Sequence, residues 1–323
     1  MITVVDRLRS RLVARMRLTD RRLDRRISLF APADDADLIT AIGREFAHGF
    51  NDSLRTFDAA AVTAELDSLN DAYLAPFYVE GAAMAFAAGR TVYPSKARTA
   101  HRVLLTDLPG HKYLIFAGWG WWYAVRPFGA LAIRRSPVWR QDSLFAALSI
   151  DGMAFATCFL KARPPRFDVP CPFPNPEFEA LWLQGYGRAL WFVASGHPEV
   201  FRDQHERLDP QRRPELSAGL GLATAFAGMR RLRTLPEAPS GSEIERRAFL
   251  QGLAFGLTAR REASPDSFRR WIDQLDRPSA SWVAAATDRC LQPPERAASS
   301  PDGGYVAWQR QIRSELPLPE RPA

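Results

Sequence analysis

Lysine is almost missing from this chain. Of 43 basic residues only Lys96, Lys112 and Lys161 are lysines. An arginine bias this strong reads as a GC-rich coding genome, and the net charge of +7 is not gathered into a basic strip interleaved with aromatics. Nucleic acid is therefore not an expected partner. Cysteine is scarce too: Cys158, Cys171 and Cys290 are odd in number and form no C-x-x-C, which argues against a disulfide framework or a zinc knuckle. No apolar run reaches the ~18 residues of a membrane span. The first 27 residues hold nine arginines and no apolar h-region, so a secretory leader is not expected either. The expected location is cytoplasmic, with attachment to the inner membrane surface as a further option.

Familiar catalytic motifs are absent as well. There is no G-x-S-x-G, H-E-x-x-H, G-x-x-x-x-G-K-[ST], D-D-x-x-D or D-x-D-D. "GYGRAL" begins like a dinucleotide fingerprint but lacks the third glycine and a preceding strand. His197 and His205, near Glu199, Asp203 and Glu206, read as a solvated helix face rather than a metal site. No cofactor and no metal is expected.

What is present is helical pattern. Residues 1–30 form a basic amphipathic segment, with Val5, Leu8, Leu12 and Met16 at helical spacing between arginines. It is either docked on the domain or attached to an anionic membrane or acidic partner. Asp34 and Asp35, after Pro32, read as helix caps. Residues 31–163 form a first helical half. Residues 164–176 hold six prolines and read as an extended connector. Residues 177–292 form a second half, and 293–323 a Pro/Gly-rich tail, loosely ordered or draped over the domain.

One pattern recurs through both halves. Glycines at 49, 81, 118, 152, 185, 219 and 252 are spaced by 32, 37, 34, 33, 34 and 33 residues. Small residues follow two and often four places later, as in "AGLGLATAF". A period near 34 suits helical hairpins. The expected fold is all-α, a helical-hairpin repeat forming a compact α-α solenoid or barrel around glycine-rich inner helices. Small residues at 0 and +2 lie on different sides of a helix and admit close neighbours on both. The aromatic stretch 113–125 fits helix or strand.

Polar residues precede several of these glycines: His48, Glu80, Asp151, Gln184 and Gln251. A carboxylate inside a run such as "SIDGMAF" is costly to desolvate and needs a partner. These groups either bond neighbouring helices or line one cavity. On the cavity reading, Asp151 and Glu80 are catalytic candidates. Gln184, Arg188, Gln251, His48, Trp119, Trp122, Tyr186 and Phe155 are then substrate-binding candidates. Aromatic walls with few carboxylates suit a hydrophobic polyene, or a cation held against ring faces.

"FYVEGAAMAFA", "HKYLIFAGWGWWYAVRP", "LFAALSIDGMAFATCFL", "QGYGRALWFV", "PELSAGLGLATAFAG" and "FLQGLAFGLTARREA" occur in that order. Together they resemble the DUF1702 family, a domain of unknown function that includes conserved proteins of enediyne biosynthetic clusters. The resemblance spans roughly residues 40 to 262. It implies bacterial specialised metabolism and carries no catalytic residues with it. The bulk of "GWGWWYAV", and "MAFATCF" where a further aromatic or histidine is expected, imply a reshaped pocket. The expected function is a cofactor-independent cyclase or isomerase for a hydrophobic polyketide or isoprenoid polyene. The alternative is a non-catalytic helical adaptor for a synthase, carrier protein or membrane surface.

Overall fold

Prolines, which suggest breaks in the sequence, open several of the helices here. A proline in the first turn forfeits only an N–H that has no intrahelical acceptor. In the computed structural model, which describes residues 14–19, 33–142, 144–161, 170–195, 197–238, 241–291 and 304–319, prolines start many of the elements. The helices are α1 (Ala33–Thr56), α2 (Ala59–Ser68), α3 (Ala75–Gly89), α4 (Pro94–Asp107), α5 (Lys112–Val125), α6 (Gly129–Arg134) and α7 (Leu148–Lys161). After the connector come α8 (Pro176–Val193), α9 (Pro198–Arg207), α10 (Arg213–Phe226), α11 (Glu243–Ala263), α12 (Pro265–Ile272), α13 (Arg277–Cys290) and α14 (Gly304–Glu315). Asn175, at the end of the proline-rich stretch, caps α8 by accepting from Glu177 and Phe178 N–H. A reciprocal Ser242/Glu245 capping box starts α11. No strand occurs among the described residues, so the stretch 113–125 is helical. Nor, among them, is any helix long and apolar enough to cross a membrane.

Seven helices pack in sequence order, each on the next: α1, α3, α5, α7, α8, α10 and α11. Glycine is what lets them approach. A Cβ on Gly187 would collide with the Leu216 carbonyl oxygen, and one on Gly219 with that of Gln184. Gly221 and Gly252 repeat the arrangement against Phe249 and Ala218, as do Gly120 and Gly152 against Ser149 and Ala117. At two interfaces alanine takes one place, with Ala83 facing Gly118 and Ala154 facing Gly185. From α3 to α10 the small residue at position 0 thus meets the preceding helix and the one at +2 meets the following helix, whereas Gly49 of α1 meets Tyr78 on the following helix. This is why both are small.

The contacts advance together along each pair, so these helices run parallel. Along α10 and α11, Ala218 meets Gly252, Leu222 meets Gly256, and Arg260 donates to the Phe226 carbonyl 34 residues earlier. The head of α3 also touches the tails of α10 and α11. Tyr73 Oη donates to the Ala227 carbonyl at 2.7 Å, and Arg260 donates to the Tyr73 carbonyl at 2.7 Å. The Arg260 guanidinium lies 3.8 Å from the Tyr73 ring centroid and 4.2 Å from that of Phe226.

The basic segment expected over residues 1–30 lies outside the described residues except for 14–19, as do residues 164–169 of the connector and the start of the tail. The side chains of Asp34 and Asp35 lie outside them too. Within the tail, α14 is a core element: Trp308 is 1% exposed and packs 4.6 Å from the Phe255 ring. Cys158 is buried among apolar neighbours.

Candidate active site

Residues four apart share a helix face. In the glycine-bearing helices the face between the two close-packed sides falls at −1, +3 and +7 relative to the glycine. The +3 positions of α3, α5, α7, α8 and α10, most of their +7 positions, and Glu80 at −1 converge on one cavity of about 120 Å³. Met84, Trp121, Phe155, Arg188 and Leu222 all stand at +3 and line it; Val125, Phe159, Phe192 and Phe226 do so from +7. Six successive helices of the row, α1, α3, α5, α7, α8 and α10, contribute to the wall. Two of its lining residues are charged, Glu80 and Arg188.

Glu80 is 4% exposed and accepts one hydrogen bond, from Trp121 Nε1 at 3.1 Å. Burial raises its pKa to about 7, against the opposing pull of Arg188 and the indole N–H; the Asp151 charge adds to the rise. Near neutral pH the carboxyl is thus poised between acid and base forms. Trp121 belongs to an aromatic cluster, its ring tilted against those of Phe46 at 4.6 Å and Phe155 at 5.2 Å.

Arg188 reaches from the cavity wall into a buried polar chain. Its Nη1 donates to Asp151 Oδ1, and its guanidinium lies 5.0 Å from the Phe155 ring. Asp151, fully buried, also accepts from Gln184 Nε2 at 2.8 Å. Gln184 Oε1 in turn accepts from Gln309 on α14. Burial pushes the Asp151 carboxyl up, while Arg188 and Gln184 favour its ionised form. The Arg188 cation is strengthened by Asp151 and Glu80 despite its burial. The outcome is a largely apolar cavity with one fixed cation, compensated from behind by Asp151, and one carboxyl that can gain or lose a proton.

Of the residues expected at the site, Glu80, Arg188 and Phe155 therefore line a common cavity. Asp151 and Gln184 stand one layer behind, joined to it through Arg188. The other five stand elsewhere. Gln251 is buried beside Arg313, which donates to it at 3.2 Å and also holds Glu215. His48 lies on an open face of α1 between Glu45 and Asp52. Trp119 packs 4.0 Å from the His101 ring and donates to Ser136 Oγ. Tyr186 Oη points to Gln204, 3.5 Å away, and Trp122 is half-buried. Trp121 and Gln309 were not expected. Trp121 had a signal, its +3 position; Gln309 had none, because it comes from the tail. Among the described residues no cluster of metal-binding side chains occurs, and His205 pairs with Glu245 at 3.4 Å.

The profile of one family, described as "Protein of unknown function (DUF1702)", matches residues 4–316. No curated protein and no solved structure matches the chain.

Proposed function

The chain belongs to the DUF1702 family, and we propose that this member is a cofactor-independent isomerase or cyclase of specialised metabolism acting on a hydrophobic polyene, of polyketide or isoprenoid origin. One observation carries the reading: an aromatic-walled cavity in which Glu80, near its neutral point, faces Arg188. An acid with a pKa of about 7 is too weak for an isolated alkene but suits a double bond polarised by oxygen. Glu80 delivers a proton at one carbon and recovers one at another, so atoms and electrons balance without a co-reactant. Arg188 polarises the oxygen, and the faces of Trp121, Phe155 and Phe192 stabilise developing positive charge. A cavity of about 120 Å³ holds a fragment near the size of benzene. A longer chain runs out through the mouth beside Val125 and Leu160.

We further read the glycine-bearing helices as the inner members of helical-hairpin repeats with a period near 34, closed into an α-α barrel. Support comes from the six helices that share one cavity wall, and from the Tyr73 and Arg260 bonds between the head of α3 and the tails of α10 and α11. Cytoplasmic placement belongs to the same proposal.

The test is native mass spectrometry of the chain expressed in a producing host. The wild type is expected to retain an apolar small molecule, and Phe155→Trp, which fills the cavity, to lose it while remaining folded. A wild type that carries nothing, with normal product formation by Glu80→Gln in the same host, overturns the enzyme and favours the adaptor.

A further inference from the structure

Four of the five large apolar side chains that stand exposed among the described residues fall in one region: Val125 (47% exposed), Phe128 (85%), Leu131 (53%) and Leu160 (40%). Val125 and Leu160 sit at the ends of α5 and α7 and also line the cavity. The exposed apolar patch is therefore the rim of the cavity mouth. Phe128 is held outward at a cost. Its φ is +54°, the left-handed region that bulky residues avoid, and the next residue, Gly129, sits so tightly on the Tyr123 carbonyl that the turn admits no Cβ there.

Four basic residues flank the apolar residues of this rim. Arg126 follows Val125, Arg134 and Arg135 end α6, and Lys161 follows Leu160; none has a carboxylate partner among the described residues. From Gly81 to Gln141 the sequence holds nine basic residues and one acid, Asp107. The segment at 14–19 adds to the same mouth. Asn51 pins Leu18 through both its N–H and its carbonyl, at 2.9 and 2.8 Å. Leu18 lines the cavity while Arg15 and Arg17 stay exposed.

We propose that this face docks on an anionic lipid bilayer. Phe128 and Leu131 enter the acyl boundary, the arginines and Lys161 meet the headgroups, and the mouth between Val125 and Leu160 opens to the hydrocarbon. Docking itself stands on the rim alone. Loading of the cavity from the membrane rests on the hydrophobic-ligand reading above.

Flotation of the full chain with vesicles tests it. The chain should bind phosphatidylcholine vesicles that contain phosphatidylglycerol, bind pure phosphatidylcholine weakly, and release as salt rises. Phe128→Asn should lower partitioning roughly tenfold. It should do so without lowering the melting temperature, because asparagine accepts the left-handed turn better than phenylalanine. Leu131→Ser should act in the same direction, whereas Ile244→Ser, exposed on α11 away from the mouth, should leave binding unchanged. Absence of binding to the anionic vesicles overturns the proposal, as does binding that Phe128→Asn and Leu131→Ser leave intact. So does loss of a protein–protein complex rather than of vesicle binding in those variants. Glu80→Gln separates the two readings: it should lose turnover yet float with vesicles like the wild type.

Discussion

Trp121 donates its indole N–H to Glu80 across the α3–α5 interface, and among the described residues it is the single hydrogen bond this buried carboxyl receives. Water would supply several. The folded chain therefore favours the protonated form, with a pKa of about 7 against 4.5 unperturbed. The contribution of Glu80 to stability is full below pH 4.5 and is lost as the pH rises towards 7. The loss is on the order of 3 kcal/mol. Glu80→Gln removes this dependence. Urea titrations should show the variant gaining on the wild type between pH 4.5 and 7, and a constant difference across that window contradicts the burial argument.

The glycine contacts make an opposite forecast to helix propensity. In an exposed helix, Gly→Ala stabilises by about 1 kcal/mol. At Gly219 the added methyl meets the backbone of Gln184 and Arg188, which cannot swing aside as a side chain can. Gly219→Ala should therefore destabilise by roughly 1–3 kcal/mol, and Gly219→Leu by more. Thermal melts of both variants decide the point, and a stabilised Gly219→Ala rules out tight packing there.

These contacts also show how much the sequence reveals. The small residues at 0 and +2 are visible in "AGLGLA" and "QGYGRA", and so is the all-helical class. Once both close-packed sides are known, the inward face at +3 follows, which selects Trp121 over Trp119 and Trp122. What stays hidden has physical reasons. Asp151 and Glu80 occupy the same −1 position, yet which of them reaches the cavity depends on Arg188 covering Asp151 from the next helix of the row. Gln309 joins the site from beyond a Pro/Gly-rich stretch that no periodicity links to the core. Phe128 looks like an ordinary loop residue until its backbone angle is seen.

Arg260 and Tyr73 satisfy the last carbonyls of α10 together. Tyr73→Phe leaves Ala227 without its donor and should cost about 1–2 kcal/mol. Arg260→Met keeps much of the stacking but strands the Tyr73 carbonyl and leaves that of Phe226 with the 3.4 Å bond from Tyr73 Oη, so about 2–4 kcal/mol is expected. The guanidinium lies against the Tyr73 ring, so the two losses should not add. A double-mutant cycle by denaturant unfolding measures the coupling, and strict additivity means the two side chains act separately.

Truncation before residue 304 tests the tail. It removes Trp308, buried against Phe255 and Phe145, and the Gln309 amide that meets Gln184. Loss of the tryptophan alone should cost about 3–5 kcal/mol. Trp308→Ala should lower the melting temperature by many degrees, and a truncated chain as stable as the full one excludes α14 from the core.

The two candidate carboxylates should part company when each is made an amide. Glu80 faces the cavity and has no guanidinium in contact, so Glu80→Gln should fold at least as well as the wild type at neutral pH. It should lose most product formation, at least a hundredfold, because an amide cannot exchange the proton. Asp151 carries the counter-charge of a buried cation. Asp151→Asn leaves Arg188 uncompensated and should destabilise by about 3–5 kcal/mol. Its product loss should be partial and should follow the misplacement of Arg188, since Asp151 lines no part of the cavity. Arg188→Met in the Asp151→Asn background should recover stability, by removing the stranded charge, without recovering product. Turnover and unfolding measured side by side on the wild type and these three variants separate the roles. Normal product from a folded Glu80→Gln defeats the proton-transfer assignment, and an undiminished stability of Asp151→Asn defeats the ion-pair one.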